Sequence, residues 1–145
     1  MQDARRNKVI IMGAAGRDFH DFKVVFRNDP LTRVVAFTAP QIPDIACRTY
    51  PPALSGPLYP NGIPIVEASE LLSMIKRERV NWVYFSYSDI SHQDVMHTAS
   101  TVLAAGANFA FLAPESTAIA PSKPVISVCA VRTGVGKSSA KCRIA

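Results

Sequence analysis

The sequence has no apolar run long enough to cross a bilayer. Its longest, Val9–Met12 and Val125–Val131, fall far short of the ~20 residues a spanning helix needs. The opening Met1–Lys8 is polar and basic, without the apolar core or small-residue cleavage site of a signal peptide. A cytoplasmic protein with no membrane partner is therefore expected. Cysteine is scarce: Cys47, Cys129 and Cys142 are odd in number, widely spaced, and form no C-x-x-C pair. That excludes a disulfide framework and gives no zinc signature, so the thiols read as structural groups in a reducing compartment. Charged residues make up only 19% of the chain against 48% apolar, the balance of a folded core rather than a disordered tail. The net charge of +5 is scattered, with no basic stripe interleaved with aromatics, so nucleic acid is not an expected partner. A modest positive field suits small anionic ligands.

What is present is an alternation of buried strands and helices in 145 residues, room for one domain and little more. Lys8–Met12 is a β-rich run stopped by Gly13-Ala14-Ala15-Gly16. Asp18–Asn28 carries Phe19, Phe22, Val25 and Phe26 at helical spacing and ends at Asn28-Asp29-Pro30. Thr32–Thr38 predicts a second strand. A Pro-rich loop from Ala39 to Pro64, with seven of the eleven prolines, follows it, and a loop of that length is usually functional. Ile63–Val66 restores order. Ser69–Arg79 predicts a helix with Leu71, Leu72 and Ile75 inward, and Val80–Ser86 a third major strand. Ser91 and Asp94 resemble a capping box for a helix placing Val95, Ala99, Val102, Leu103 and Gly106 on one face. Asn108–Leu112 predicts another strand, and Pro114–Pro124 reads as a linker. The pattern predicts an α/β fold, a Rossmann-like doubly wound parallel sheet over residues 1–113. Residues 114–124 would be the linker and 125–145 the truncated first strand and P-loop of a second domain.

In such a sheet, ligands bind at the C-terminal ends of the strands. The first glycine turn is the leading candidate, because glycines let backbone approach a ligand and a helix N-terminus attracts anions. Gly13, Ala14, Ala15, Gly16, Arg17 and His20 are thus candidate phosphate- or substrate-binding residues. Arg48 in the Pro-rich loop, and Asp89 and His92 after the third strand, join them. The dinucleotide fingerprint is incomplete: Ala15 and Phe19 stand where glycines belong, and Phe37-Thr38-Ala39 offers no acid about 20 residues on. NAD is disfavoured, while NADP, coenzyme A or another phosphate ligand stays open. His92 and His97 are five apart and split across a helix, which argues against a metal pair.

A second motif is stronger. The strand Val125–Val131 runs into Arg132-Thr133-Gly134-Val135-Gly136-Lys137-Ser138, the end of a Walker A loop with Val131 at the first glycine position. Its amides would cradle nucleotide phosphates, Lys137 would reach the β/γ-phosphates and Ser138 would ligate Mg²⁺ in an intact P-loop domain. Seven residues follow Ser138, too few for the helix, strands and Walker-B acid that such a site needs. The chain is expected to be a fragment, inactive alone, and its catalytic residues are not identified.

Taken in order, K-V-I-I-M-G-A-A-G-R-D-F-H, V-V-A-F-T-A-P-Q-I-P, Y-P-P-A-L-S-G-P-L-Y-P-N-G-I-P-I, S-Y-S-D-I-S and V-C-A-V-R-T-G-V-G-K-S make a set. From Lys8 to about Ser139 the chain resembles the cyclic 2,3-diphosphoglycerate synthetase family and its relatives labelled predicted GTPases. The resemblance implies an N-terminal Rossmann-like domain joined to a P-loop domain. It also implies ATP (or GTP) with Mg²⁺ as cofactor, and a small anionic substrate such as 2,3-bisphosphoglycerate closed into its cyclic anhydride. Arg132–Ser138 would hold the nucleotide. The alternative is a non-catalytic Rossmann nucleotide- or coenzyme-binding module regulating a GTPase-like protein. An NADP-dependent oxidoreductase is the third reading. Assembly as a homo-oligomer stays open, and an unpaired Val125–Val131 strand is expected to join a sheet edge or a second subunit.

Overall fold

A computed structural model describes residues 6–14, 16–39, 48–87, 90–122 and 124. Strand β1 is Asn7–Met12, β2 Thr32–Ala39, β3 Thr49–Tyr50, β4 Ile63–Glu67, β5 Trp82–Phe85 and β6 Asn108–Ala110. They form one six-stranded sheet in the order β3-β4-β2-β1-β5-β6. Every pairing is parallel except β3 with β4. β1 is central, with β2 and β4 on one side and β5 and β6 on the other. The chain therefore crosses β1 between β4 and β5, and the sheet reverses its winding at the C-terminal ends of β1 and β5. This is the expected Rossmann-like α/β architecture.

Both faces of the sheet are covered, which is why its central strands are continuous apolar runs. Period-two alternation sends Val9 and Ile11 to one face, with Phe22, Phe26, Phe37 and Tyr59. Ile10 and Met12 go to the other, with Met74, Ile75, Val83, Phe85 and Val102. The β1–β2 register slips between Val9 and Ile10, so Val9 pairs with Val34 but Ile10 with Ala36. That extra residue, a bulge, lets Val34 and Phe37 share a face although they are three apart.

Helix α1, Arg17–Asp21, runs straight into a wider π-type turn, Phe22–Phe26, closed by Arg27 N–H donating to the Phe22 carbonyl at 2.8 Å. Phe22 thereby meets Tyr59 edge-on at 5.3 Å, and Phe26 meets Tyr84 at 5.0 Å. Helix α3, Leu71–Glu78, follows a 3₁₀ turn at Ala68–Glu70 and buries Leu71, Met74 and Ile75, the i, i+3, i+4 stripe. Leu72 sits a quarter turn away and is exposed, a correction to the sequence expectation. In α4, His92–Ala104, Ala99 and Val102 are buried while Leu103 is exposed, a second correction of the same kind.

The Pro-rich stretch is not a plain loop over its described part. Tyr50 and Thr49 pair antiparallel with Ile63 and Pro64. Helix α2, Pro52–Ser55, opens with proline at its first turn and closes at Gly56. Asn61-Gly62 makes a turn ahead of β4, with Gly62 N–H donating to the Tyr59 carbonyl at 2.9 Å and Gly62 at φ 74°. The expected last strand is shorter than Asn108–Leu112, ending at Ala110, and Phe111 beyond it is exposed. Pro114–Thr117 forms a short helix, α5, packed by the π-type turn. Val125–Val131 and the glycine-rich segment after it lie outside the described residues. Among the described residues no helix is long and apolar enough to cross a membrane.

Candidate functional site

The reversal point of the sheet is built from the β1–α1 turn and the segment after β5. Gly13 N–H donates to the Thr38 carbonyl at 2.8 Å, and Ser86 N–H donates to the Met12 carbonyl at 3.1 Å. These bonds tie the ends of β1, β2 and β5 together. Gly13 has φ 140°, and a Cβ there would stand 2.9 Å from the Asp18 Cβ. Only glycine fits so close to α1 in that conformation. Gly16 precedes α1 as its N-cap, with open space where a Cβ would be. Ala14 is half-buried against the Phe22–Phe37 side of the core, and Ala15 lies outside the described residues.

Two carboxylates that sequence reading passed over are buried beside this turn: Asp18 and Asp21 are each 2% exposed. Asp21 Oδ2 accepts from Ser86 Oγ at 2.9 Å and lies 3.9 Å from Arg17 Nε, while Asp21 Oδ1 has no hydrogen-bond partner. Thr38, fully buried at the end of β2, leaves its Oγ1 unpartnered, and its carbonyl accepts from Tyr87 Oη at 3.1 Å. Burial raises the Tyr87 pKa above its ordinary value, partly offset by that hydrogen bond, while the nearby Asp18 charge adds to the rise. The missed signal was spacing: Asp18 and Phe22 are four apart, so both fall on the inward face of one helix.

The other candidates divide. Arg17 is half-exposed at the turn. His20 is held away from solvent ligands on one side: its Nε2 bonds the Thr117 carbonyl of α5 at 2.8 Å, which makes Nε2 the protonated nitrogen. His92 opens α4, which starts at the same edge of the sheet, and is exposed. Asp89 lies outside the described residues, as do Arg132, Thr133, Gly134, Val135, Gly136, Lys137 and Ser138. Arg48 is not at the glycine turn. With Glu67 and Glu70 it lines a pocket of about 380 Å³ at the C-terminal end of β4.

The dinucleotide test gives a clear result at two positions. Counted from Gly13, the last fingerprint position falls on buried Asp18, a correction to the sequence expectation of Phe19, which instead stacks on Tyr50 at 4.7 Å and meets Phe37 edge-on at 5.0 Å. The end of β2 presents buried Thr38 and Ala39, with no carboxylate for a ribose hydroxyl. Among the described residues no cluster of three His, Cys, Asp or Glu could hold a metal ion.

The sheet order and the glycine turn define a Rossmann-like domain whose candidate ligand edge lies at the ends of β1 and β5. Over its full 145 residues the chain is 53% identical to the arginine synthetase ArcE of Thermococcus kodakarensis, and it spans 32% of that protein's length. It is similar in fold to RSP, a Rex-family repressor, with a TM-score of 0.58 at 12% identity, over 83% of this chain and 50% of that one. RSP in complex with β-NADH matches with a TM-score of 0.55 at 13% identity, over 82% of this chain and 50% of that one. No protein-family model matches the chain.

Proposed function

We propose that this chain is the small-substrate-binding part of a nucleotide-dependent synthetase whose product is a basic amino acid. The 53% identity along the whole chain to an arginine synthetase carries this reading. In it, residues 1–113 form the Rossmann-like domain, 114–124 a connection, and 125–145 the start of a P-loop domain. Arg132–Ser138 would hold the phosphates of ATP or GTP, with Lys137 at the β/γ-phosphates and Ser138 on Mg²⁺. The nucleotide, when bound, supplies an activating phosphoryl group.

The described residues support a substrate of mixed charge better than a bisphosphate. Asp18 and Asp21 put two carboxylates under the glycine turn, where a doubly phosphorylated acid would meet repulsion. The pocket holding Arg48 with Glu67 and Glu70 offers a guanidinium for an α-carboxylate and carboxylates for an α-ammonium group. 2,3-Bisphosphoglycerate, implied by the family resemblance, therefore ranks behind an amino acid as the small substrate.

The test is a thermal-unfolding series on the chain with arginine, 2,3-bisphosphoglycerate, ATP·Mg²⁺, GTP·Mg²⁺ and NADP. A ligand at about 100 times its Kd stabilises by roughly 2.7 kcal/mol, a shift of several degrees. Arginine is expected to shift the midpoint of this chain, and, in a protein carrying the rest of the P-loop domain, one nucleotide is expected to add a shift that Lys137→Ala removes. A shift with NADP and none with arginine or a triphosphate would overturn the synthetase reading in favour of a coenzyme-binding module.

A further inference from the structure

The two edges of the sheet differ. β3 closes one as a short antiparallel strand, and β6 ends the other with nothing paired to its outer side among the described residues. β6 bonds β5 from alternate residues, beginning with Asn108 N–H to the Asn81 carbonyl at 2.9 Å. In a parallel ladder the residue between two such positions turns its N–H and carbonyl the other way, so Phe109 presents both to the open side. An edge of this kind is a template for a further strand unless charge, a bulge or a covering segment blunts it. From Val95 to Pro114 the chain carries no Asp, Glu, Lys or Arg, in a protein where these make up 19% of the residues.

Helix α4 lies along that edge, packed on β6 and against α3. Ala99 and Val102 face the core, and Ala105 on one flank packs against the cluster that α3 shares. Met96 and Leu103, seven apart and therefore on one line of the helix, take the opposite flank, 64% and 57% exposed. Phe111, just past β6, adds its ring on the same face of the sheet. It meets Phe85 at 5.6 Å and Phe109 at 5.5 Å and is still 60% exposed. A solvated helix flank carries charge, and this one carries methionine, serine and leucine at positions 96, 100 and 103.

Two features of the chain choose what covers this surface. The first is the path after β6. α5 lies over the opposite face of the sheet, where the Thr117 carbonyl accepts from His20 Nε2 at 2.8 Å. The β5-to-β6 crossover runs through α4, so a later strand reaching β6 in parallel over the α5 face would have the opposite, left hand. About 2% of such connections have it. The second is charge. A second copy carries the same net +5, and like-charged copies meet without repulsive pairs only on a face free of charge. We propose that β6 pairs antiparallel with β6 of a second copy across a two-fold axis at Phe109, joining the two sheets and seating Met96 of each α4 against Leu103 of the other. The pairing is self-complementary: the Phe109 N–H and carbonyl exchange bonds with the same groups of the second copy. It does not depend on the synthetase reading.

The experiment is sedimentation equilibrium of the whole chain, thiols kept reduced, over a range of about 1 μM to about 1 mM. A reversible rise from 15.7 kDa to twice that mass is expected, with its midpoint in the micromolar range. Met96→Lys and Leu103→Lys each enter a two-fold contact twice, and each should weaken association at least about tenfold. Both positions are exposed, so the urea midpoint of the dilute protein should not move. Amide hydrogen exchange reads the geometry. The Phe109 N–H should exchange more slowly as concentration rises, and should lose that dependence in Leu103→Lys. A mass of 15.7 kDa throughout, an association that neither substitution weakens, or a Phe109 amide whose exchange ignores concentration would overturn the proposal. An amide protected equally at every concentration would assign the edge to a segment of the same chain instead. Absence of arginine binding with association intact would sink the synthetase reading alone.

Discussion

Gly13 and Gly16 lie three residues apart in one turn, yet a methyl group added to each meets different surroundings. At Gly13 it would stand 2.9 Å from the Asp18 Cβ with φ at 140°, so both sterics and backbone oppose it. At Gly16 nothing lies within 4 Å. Gly13→Ala is expected to cost about 1–3 kcal/mol and Gly16→Ala less than about 1 kcal/mol, read as a difference in urea midpoints at constant slope. Equal losses would show that the turn does not depend on the approach of α1. The glycine turn itself was legible, because a strand stopped by Gly-x-x-Gly has few other uses. The chemistry beneath it was not. The sequence reading passed over Asp18 and Asp21, and only the fold shows them turned inward, with Ser86 reaching Asp21 from 65 residues away. A contact of that range leaves no local pattern in the chain.

At the scale of elements, the helices that announced themselves did so through their ends. Ser91 caps α4: Asp94 N–H donates to Ser91 Oγ at 3.2 Å, and Ser91 Oγ donates to the Asp94 carboxylate at 2.6 Å. Ser91→Ala removes both and is expected to cost about 1 kcal/mol, while Ser91→Asn, which can still accept at the cap, recovers most of it. Equal loss in the two variants, measured by chemical denaturation, would show that the cap contributes nothing. The inward faces were harder to read. Leu71, Leu72 and Ile75 also satisfy an i, i+1, i+4 face, whereas the packed stripe is i, i+3, i+4 and takes Met74 in place of Leu72. β3 escaped detection for a simpler reason: two residues, Thr49 and Tyr50, are too few to display a period. Proline content correctly marked where the chain leaves the sheet, but it hid a strand that returns to pair at the edge. Arg48 precedes that strand, and its carbonyl accepts from Ile65 N–H at 2.8 Å. The pocket it shares with Glu67 and Glu70 thus follows from the pairing, not from any motif.

For the whole molecule, the aromatic content sets a limit on alkaline stability. Tyr50, Tyr59, Tyr84 and Tyr87 all have pKa values raised above the ordinary 10.0, in each case with burial as the largest cause. A raised value means that the folded state favours the protonated phenol. The unfolded chain therefore releases its protons first as pH climbs. The contribution of each buried phenol is complete below about pH 10 and is lost as pH rises through the folded-state values. Tyr84 isolates the effect, because burial alone raises it, and its ring packs on Phe26 and Trp82 without a described hydrogen bond through the hydroxyl. Tyr84→Phe should leave the unfolding midpoint at pH 7 nearly unchanged and make its decline above pH 10 shallower. Lysines lose their charge over the same range, but they do so equally in both proteins, so the difference between the two curves reports the phenol. Parallel curves would mean that Tyr84 ionises without unfolding cost, and that its hydroxyl reaches solvent from within the fold.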